Sequence, residues 1–191
     1  MVIEMNYAIA LFAALKQTAV ERNGNFYEIG EIIDTLSHSI PHLSAALDKK
    51  VMLIGNGGSA SIASHTAIDL SKNAGVRAIA FNDAAALTCL TNDYGYEEVF
   101  AKQIEMHGQC GDALIAISSS GASANILKAA AIAREREIYV VTFSGFKADN
   151  PLRRKGHINF YVPSSSYGVV ELSHHIILHA ITDMICARKG Q

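Results

Sequence analysis

A chain of 191 residues fits one ordinary domain with a single sizeable core. Half of its residues are hydrophobic and 18% are charged, which excludes a disordered chain. Sixteen Lys and Arg against eighteen Asp and Glu leave a formal charge of −2, so the basic excess needed to grip nucleic acid or a membrane surface is missing.

The partner is therefore expected to be a small molecule or another protein. Low charge and a mean hydropathy of +0.18 point to apolar surface buried between subunits. Cys89, Cys110 and Cys186 are widely spaced and form no C-x-x-C pair, as buried reduced thiols of a cytoplasmic protein would be. In the opening MVIEMNYAIALFAAL, Glu4 stands where a signal peptide has basic residues. No uninterrupted apolar run approaches the roughly 18 residues of a spanning helix.

In chain order, the first fifty residues read as helical throughout, with Tyr7, Ala8, Leu11, Phe12 and Leu15 at three- and four-residue steps. Asn23-Gly24-Asn25 punctuates the pattern, which resumes at Ile29, Ile32, Ile33 and Leu36 until Pro41 breaks or restarts the helix. Residues 51–54, VMLI, are a short apolar run of the kind found in buried parallel strands. GNGGSAS then opens a helix to about Asn73, and VRAIAF at 76–81 is a second strand. A polar turn leads to TNDYGYEEVFAKQIEMHG, helical from Tyr96. DALIAI at 112–117, IYVVTF at 138–143 and INFYV at 158–162 complete five strands, with helices at 124–134 and 168–187. This alternation predicts a doubly wound α/β domain with a mostly parallel five-stranded sheet. Residues 1–50 would be a helical arm on a core formed by residues 51–191.

Ligands of open α/β sheets bind beyond the carboxyl ends of strands. Two strands here end in small polar turns that open helices, GNGGSAS and SSSGAS. Ser118, Ser119, Ser120 and Ser123 crowd around Gly121. One serine would suffice to cap the helix, whereas four suit a phosphate at a helix N-terminus. GNGGS has neither the G-x-G-x-x-G spacing nor a GK[ST] ending, so no nucleotide cofactor is expected. His65 and Asp69 share a helix face, and Glu171, His175 and His179 recur every fourth residue of the last helix. Arg153-Arg154-Lys155 reads as a solvated loop.

These segments together resemble the sugar isomerase (SIS) domain family, and within it the phosphoheptose isomerases. The resemblance is carried by GNGGSAS, TNDYGYEEVFAKQIE, GDALIAISSSGASANILKA and VELSHHIILHAI. It implies an aldose–ketose isomerase that converts sedoheptulose 7-phosphate through an enediol for heptose and surface-polysaccharide synthesis. It places Asn56, Gly57, Gly58, Ser59, Asn92, Asp93 and Glu171 at the substrate, and Ser118, Ser119, Ser120 and Ser123 around its phosphate. Asp69 and His179 take the catalytic positions. His65, Asp69, Glu171 and His179 fall on a metal-binding set, for which zinc is expected. Relatives typically carry Glu and Gln where this chain has Asp69 and Glu171. The retreat of one carboxylate and the addition of another favour a cation while weakening Asp69 as a base. The loop after the fourth strand also departs, having Phe146, Lys147, Asn150 and Pro151 in place of a glycine-rich segment. A homotetramer with sites between subunits is implied, and two alternatives stay open: a non-catalytic SIS protein that binds a phosphosugar or a protein such as a replication initiator, and an isomerase of another ketose phosphate.

Overall fold

A computed structural model of the protein describes residues 2–190. Helix α1 (Val2–Lys16) leads into strands β1 (Ala19–Arg22) and β2 (Asn25–Tyr27), followed by α2 (Ile29–Leu47). Then come β3 (Val51–Gly55), α3 (Gly58–Lys72), β4 (Ala78–Ala80), α4 (Ala84–Tyr94), a 3-10 turn at Tyr96–Glu98 and α5 (Val99–His107). The chain continues with β5 (Ala113–Ser118), α6 (Ala124–Glu135), β6 (Tyr139–Ser144), a 3-10 turn at Pro151–Arg154, β7 (Ile158–Tyr161) and α7 (Tyr167–Lys189).

The five expected strands form the parallel part of the sheet, in the order β7-β6-β5-β3-β4. Alternate residues of β3 feed opposite cores, as a period of two requires. Val51 and Leu53 join Ile115, Val141 and the apolar faces of α2, α3 and α7. Met52 and Ile54 join Leu114, Val140 and residues of α5 and α6. The second strand contracts from six expected residues to three.

Two further strands correct the sequence reading. Residues 19–27 are a β-hairpin, so the sheet has seven strands and the first fifty residues are not helical throughout. Asn23 and Gly24 both have positive φ, at 51° and 80°, the backbone that a two-residue hairpin turn requires. β1 then pairs antiparallel with β7 and buries Val20 completely. Only four residues are long enough to show alternation, which hid this strand behind its helical flanks. The arm is thus part of the sheet, and α2 lays Ile32, Ile33, Leu36 and Ile40 on the core.

Pro41 lies inside α2 and does not end it. Ile40 before it and Leu43 after it pack on the same core, and that burial carries the helix past the missing N–H. The polar turn expected after the second strand is helix α4, which starts where the Asp83 carboxylate accepts from the Ala86 amide at 2.9 Å. Cys89 and Cys110 are free but exposed rather than buried. α7 is long and apolar enough to cross a bilayer, yet half of that stretch is inside the protein, where Val170, Ile177, Leu178 and Ile181 are buried. It is a core helix.

Candidate active site

β3 and β5 are neighbours, and the chain leaves them toward opposite edges of the sheet, so a crevice opens beyond their carboxyl ends. Both polar turns face it. A cavity of about 130 Å³ lies there, lined by Asn56, Ser59 and the serine turn. Tyr167 and Glu171, from the start of α7, form its remaining wall.

The serine turn does more than cap a helix. Ser123 occupies the N-cap position of α6, but its hydroxyl makes no capping bond and lies 3.2 Å from the Ser118 hydroxyl. Ser120 Oγ accepts from the Ala122 amide at 3.2 Å, while Ser119 Oγ is buried with no partner among the described residues. The loop that departs from the family pattern supports this turn from behind. Gly145 and Leu152 donate their amides to the Ser119 and Gly121 carbonyls, each at 3.0 Å. Gly121 has φ +62°, and a Cβ there would collide with the Asn150 carboxamide, so glycine is required twice over. The Phe146 ring meets Tyr167 edge-on at 4.7 Å and so reaches the cavity wall. Arg153 is not a solvated loop residue. It sits over the Tyr161 ring at 4.5 Å and pairs with Glu21 at 3.4 Å.

Asn56 is held in place by two residues that the sequence reading did not single out. It exchanges side-chain amide bonds with Asn125 at 2.9 and 3.0 Å, and the Tyr96 hydroxyl donates to its Oδ1 at 2.9 Å. Asn125 is buried just inside α6. Asn92 and Asp93, expected at the sugar, lie exposed at the end of α4 and bond to each other at 3.0 Å. Within one chain they do not line the cavity; Tyr96 is the residue of that segment that reaches the glycine turn.

Gly57, with φ +55°, turns the chain into α3, and Gly58 is its first residue. A Cβ on Gly58 would strike the Glu171 carboxylate, which lies directly against the helix start.

Farther along α3 and α7 the imidazoles gather. Ligand atoms of His65, His175 and His179 all lie within 4.8 Å of one another. Asp69 stands beside them, its Oδ2 3.1 Å from His65 Nε2 and 3.7 Å from His179 Nδ1, while Oδ1 accepts from Asn73 at 3.2 Å. Glu171 is not in this group, and His175 stands in its place. The reason is helix geometry: Glu171 lies eight residues, about 12 Å of rise, before His179, whereas His175 is one turn away. Burial, and then the neighbouring His179 and His65, hold the His175 imidazole below its ordinary range. Its Nε2 is buried with no hydrogen-bond partner among the described residues. Three imidazoles and a carboxylate are the donor types zinc accepts, and the unpartnered nitrogen fits a ligand atom. His174 points the other way, is fully buried, and bonds through Nε2 to the Ser144 carbonyl at 3.1 Å. Burial lowers its pKa to about 4, so it is a neutral core residue.

A mostly parallel sheet with a serine-lined cleft at its switch point defines a doubly wound α/β domain, and residues 10–145 match the SIS domain family. Among curated proteins, the phosphoheptose isomerase of Helicobacter hepaticus is 38% identical over 148 residues, 74% of this chain and 75% of the relative. That of Sulfurimonas denitrificans is 36% identical over 180 residues, covering 90% and 88%. The solved phosphoheptose isomerase from Neisseria gonorrhoeae superposes with a TM-score of 0.76 at 29% identity, covering 96% of this chain and 97% of that one. The chain belongs to the phosphoheptose isomerase family of SIS domain proteins.

Proposed function

We propose that the protein interconverts sedoheptulose 7-phosphate and an aldose heptose 7-phosphate. Family membership supports the reaction, and the observation that carries it is the cleft where hydroxyls of Ser118, Ser119, Ser120 and Ser123 converge beside Asn56 and Glu171. The serine turn would bind the phosphate with hydroxyls and with the first-turn amides of α6. Fixing that remote group positions the reacting end, so binding energy is used to orient C1 and C2. Asn56, immobilised by Asn125 and Tyr96, would hold a sugar hydroxyl without having to reorganise.

Zinc is the proposed metal, with His65, His175 and His179 as ligands and Asp69 beside them. When bound it would supply a Lewis acid for oxyanion charge. The exposed apolar Ile9 and Phe12 of α1 support self-association, and a homotetramer is the proposed assembly. In this reading the enzyme is cytoplasmic, and its product supplies activated heptose for a surface polysaccharide.

Turnover of sedoheptulose 7-phosphate by the purified protein, followed by NMR for the aldose, tests the reaction. Conversion is expected. Folded protein that gives none overturns the isomerase reading in favour of a phosphosugar-binding role.

A further inference from the structure

We infer that Tyr167 is a binding residue for the substrate phosphate, and that Phe146 is the positioning residue that seats it. The inference rests on the isomerase reading above and extends its anchor to two residues outside the serine turn.

A phosphate monoester carries about −1.5 to −2 charge at neutral pH. The residues that line the serine cleft include no Lys or Arg, and Glu171 adds a carboxylate to the same lining. The charge must then be met by neutral donors, so each additional one counts. Serine hydroxyls and the first-turn amides of α6 supply one side of the cleft. Tyr167 lines the other, as the first residue of α7. Its side chain is largely exposed rather than packed into the core, and a phenol offers one O–H donor on a rigid ring.

Phe146 explains how that ring keeps its place. Its φ of +57° is a left-handed conformation that residues other than glycine rarely adopt. Its amide donates to the Ser164 carbonyl at 2.9 Å, and its carbonyl accepts from the Tyr161 hydroxyl at 3.0 Å. Tyr161 is pinned in turn beneath Arg153, which pairs with Glu21 of β1. The Phe146 ring packs on Val162, Val169 and Val170, and it meets the Tyr167 ring with 78° between their planes. Next to Tyr167, Gly168 leaves room for Tyr7 of α1, whose hydroxyl a Cβ would strike. The strained backbone thus has a use: it turns an aromatic edge onto Tyr167 and holds the phenol at the cleft.

The affinity for inorganic phosphate, measured by phosphorus NMR titration, tests this together with KM and kcat for sedoheptulose 7-phosphate. The proteins compared are wild type, Tyr167→Phe, Phe146→Ala and the double variant, with Phe146→Leu serving where the alanine variant does not fold. Tyr167→Phe keeps the ring and loses the donor. Phosphate should bind roughly tenfold more weakly, and the loss should appear in KM rather than kcat. Phe146→Ala should weaken phosphate by a smaller factor, about threefold, because the phenol remains but is no longer seated. In the Tyr167→Phe background the same substitution should add little, since the group it positions has gone. That lack of additivity separates positioning from a general loss of packing. Wild-type phosphate affinity and KM in Tyr167→Phe overturn the binding role. Equal losses from Phe146→Ala with and without the phenol overturn the positioning role. Either result leaves the isomerase intact. Wild-type protein that neither binds phosphate nor converts the ketose overturns the isomerase reading, and this inference with it.

Discussion

The serine cleft and the imidazole group both draw on α7 but are built in different ways. The cleft is made of backbone turns at strand ends, backed by the Gly145–Leu152 loop and closed by buried hydroxyls. The imidazole group is made of side chains from two helices, with His65 and His179 each nearly half exposed. A turn holds its geometry through main-chain bonds that few side chains can change. A cluster between helices changes membership whenever one residue of a turn is replaced. The first is thus suited to a constant anchor such as phosphate, and the second to chemistry that varies.

If that division holds, damage to the two regions should separate. The largest effect is expected from Gly121→Val, which adds a branched side chain at φ +62° against Asn150. Sugar-phosphate binding measured by calorimetry should weaken by about 100-fold or more, with the far-UV spectrum retained. His175→Ala should come next. It removes one imidazole from the group, so zinc measured by competition with a chelator should bind at least about tenfold more weakly. Phosphate affinity should be unchanged, and a matching fall in both would erase the distinction.

Smaller still is Ser118→Ala, which removes one hydroxyl near the anion. A hydrogen bond to a charged group is worth about 1.5–3 kcal/mol, so KM should rise roughly tenfold or somewhat more at constant kcat and zinc content. The smallest effect concerns stability alone. Burial and the nearby Arg134 charge hold the His157 imidazole below its ordinary range, and its Nδ1 accepts from the Val140 amide at 2.9 Å. The unfolded chain then binds a proton more readily than the folded one. The melting temperature should be highest above the ordinary imidazole range and decline as pH falls through it, a slope that His157→Gln should lessen.

The parallel sheet and its two ligand turns were legible because continuous apolar runs ending in Gly or Ser state their own geometry. Val51–Gly55 and Ala113–Ser118 needed no tertiary information. Membership of the imidazole group was not legible to that degree. Glu171 and His175 sit on one helical stripe; helix rise sets His175 rather than Glu171 beside His179, and the seating of α7 against α3 then brings His65 to them. The support from Asn125 and Tyr96 was hidden for a similar reason, since Asn56 lies 69 residues from the first and 40 from the second. Hairpin 19–27 escaped because its inward alternation spans four residues, too few to outweigh the helical periodicity on either side.

That hairpin also sets an order of events during synthesis. β1, at Ala19–Arg22, is made long before its partner β7 at Ile158–Tyr161. Strand pairing across such a separation carries a large loop-closure cost and is slow. The hairpin therefore waits, with Val20 not yet buried, until β7 has been made, and docks late in assembly.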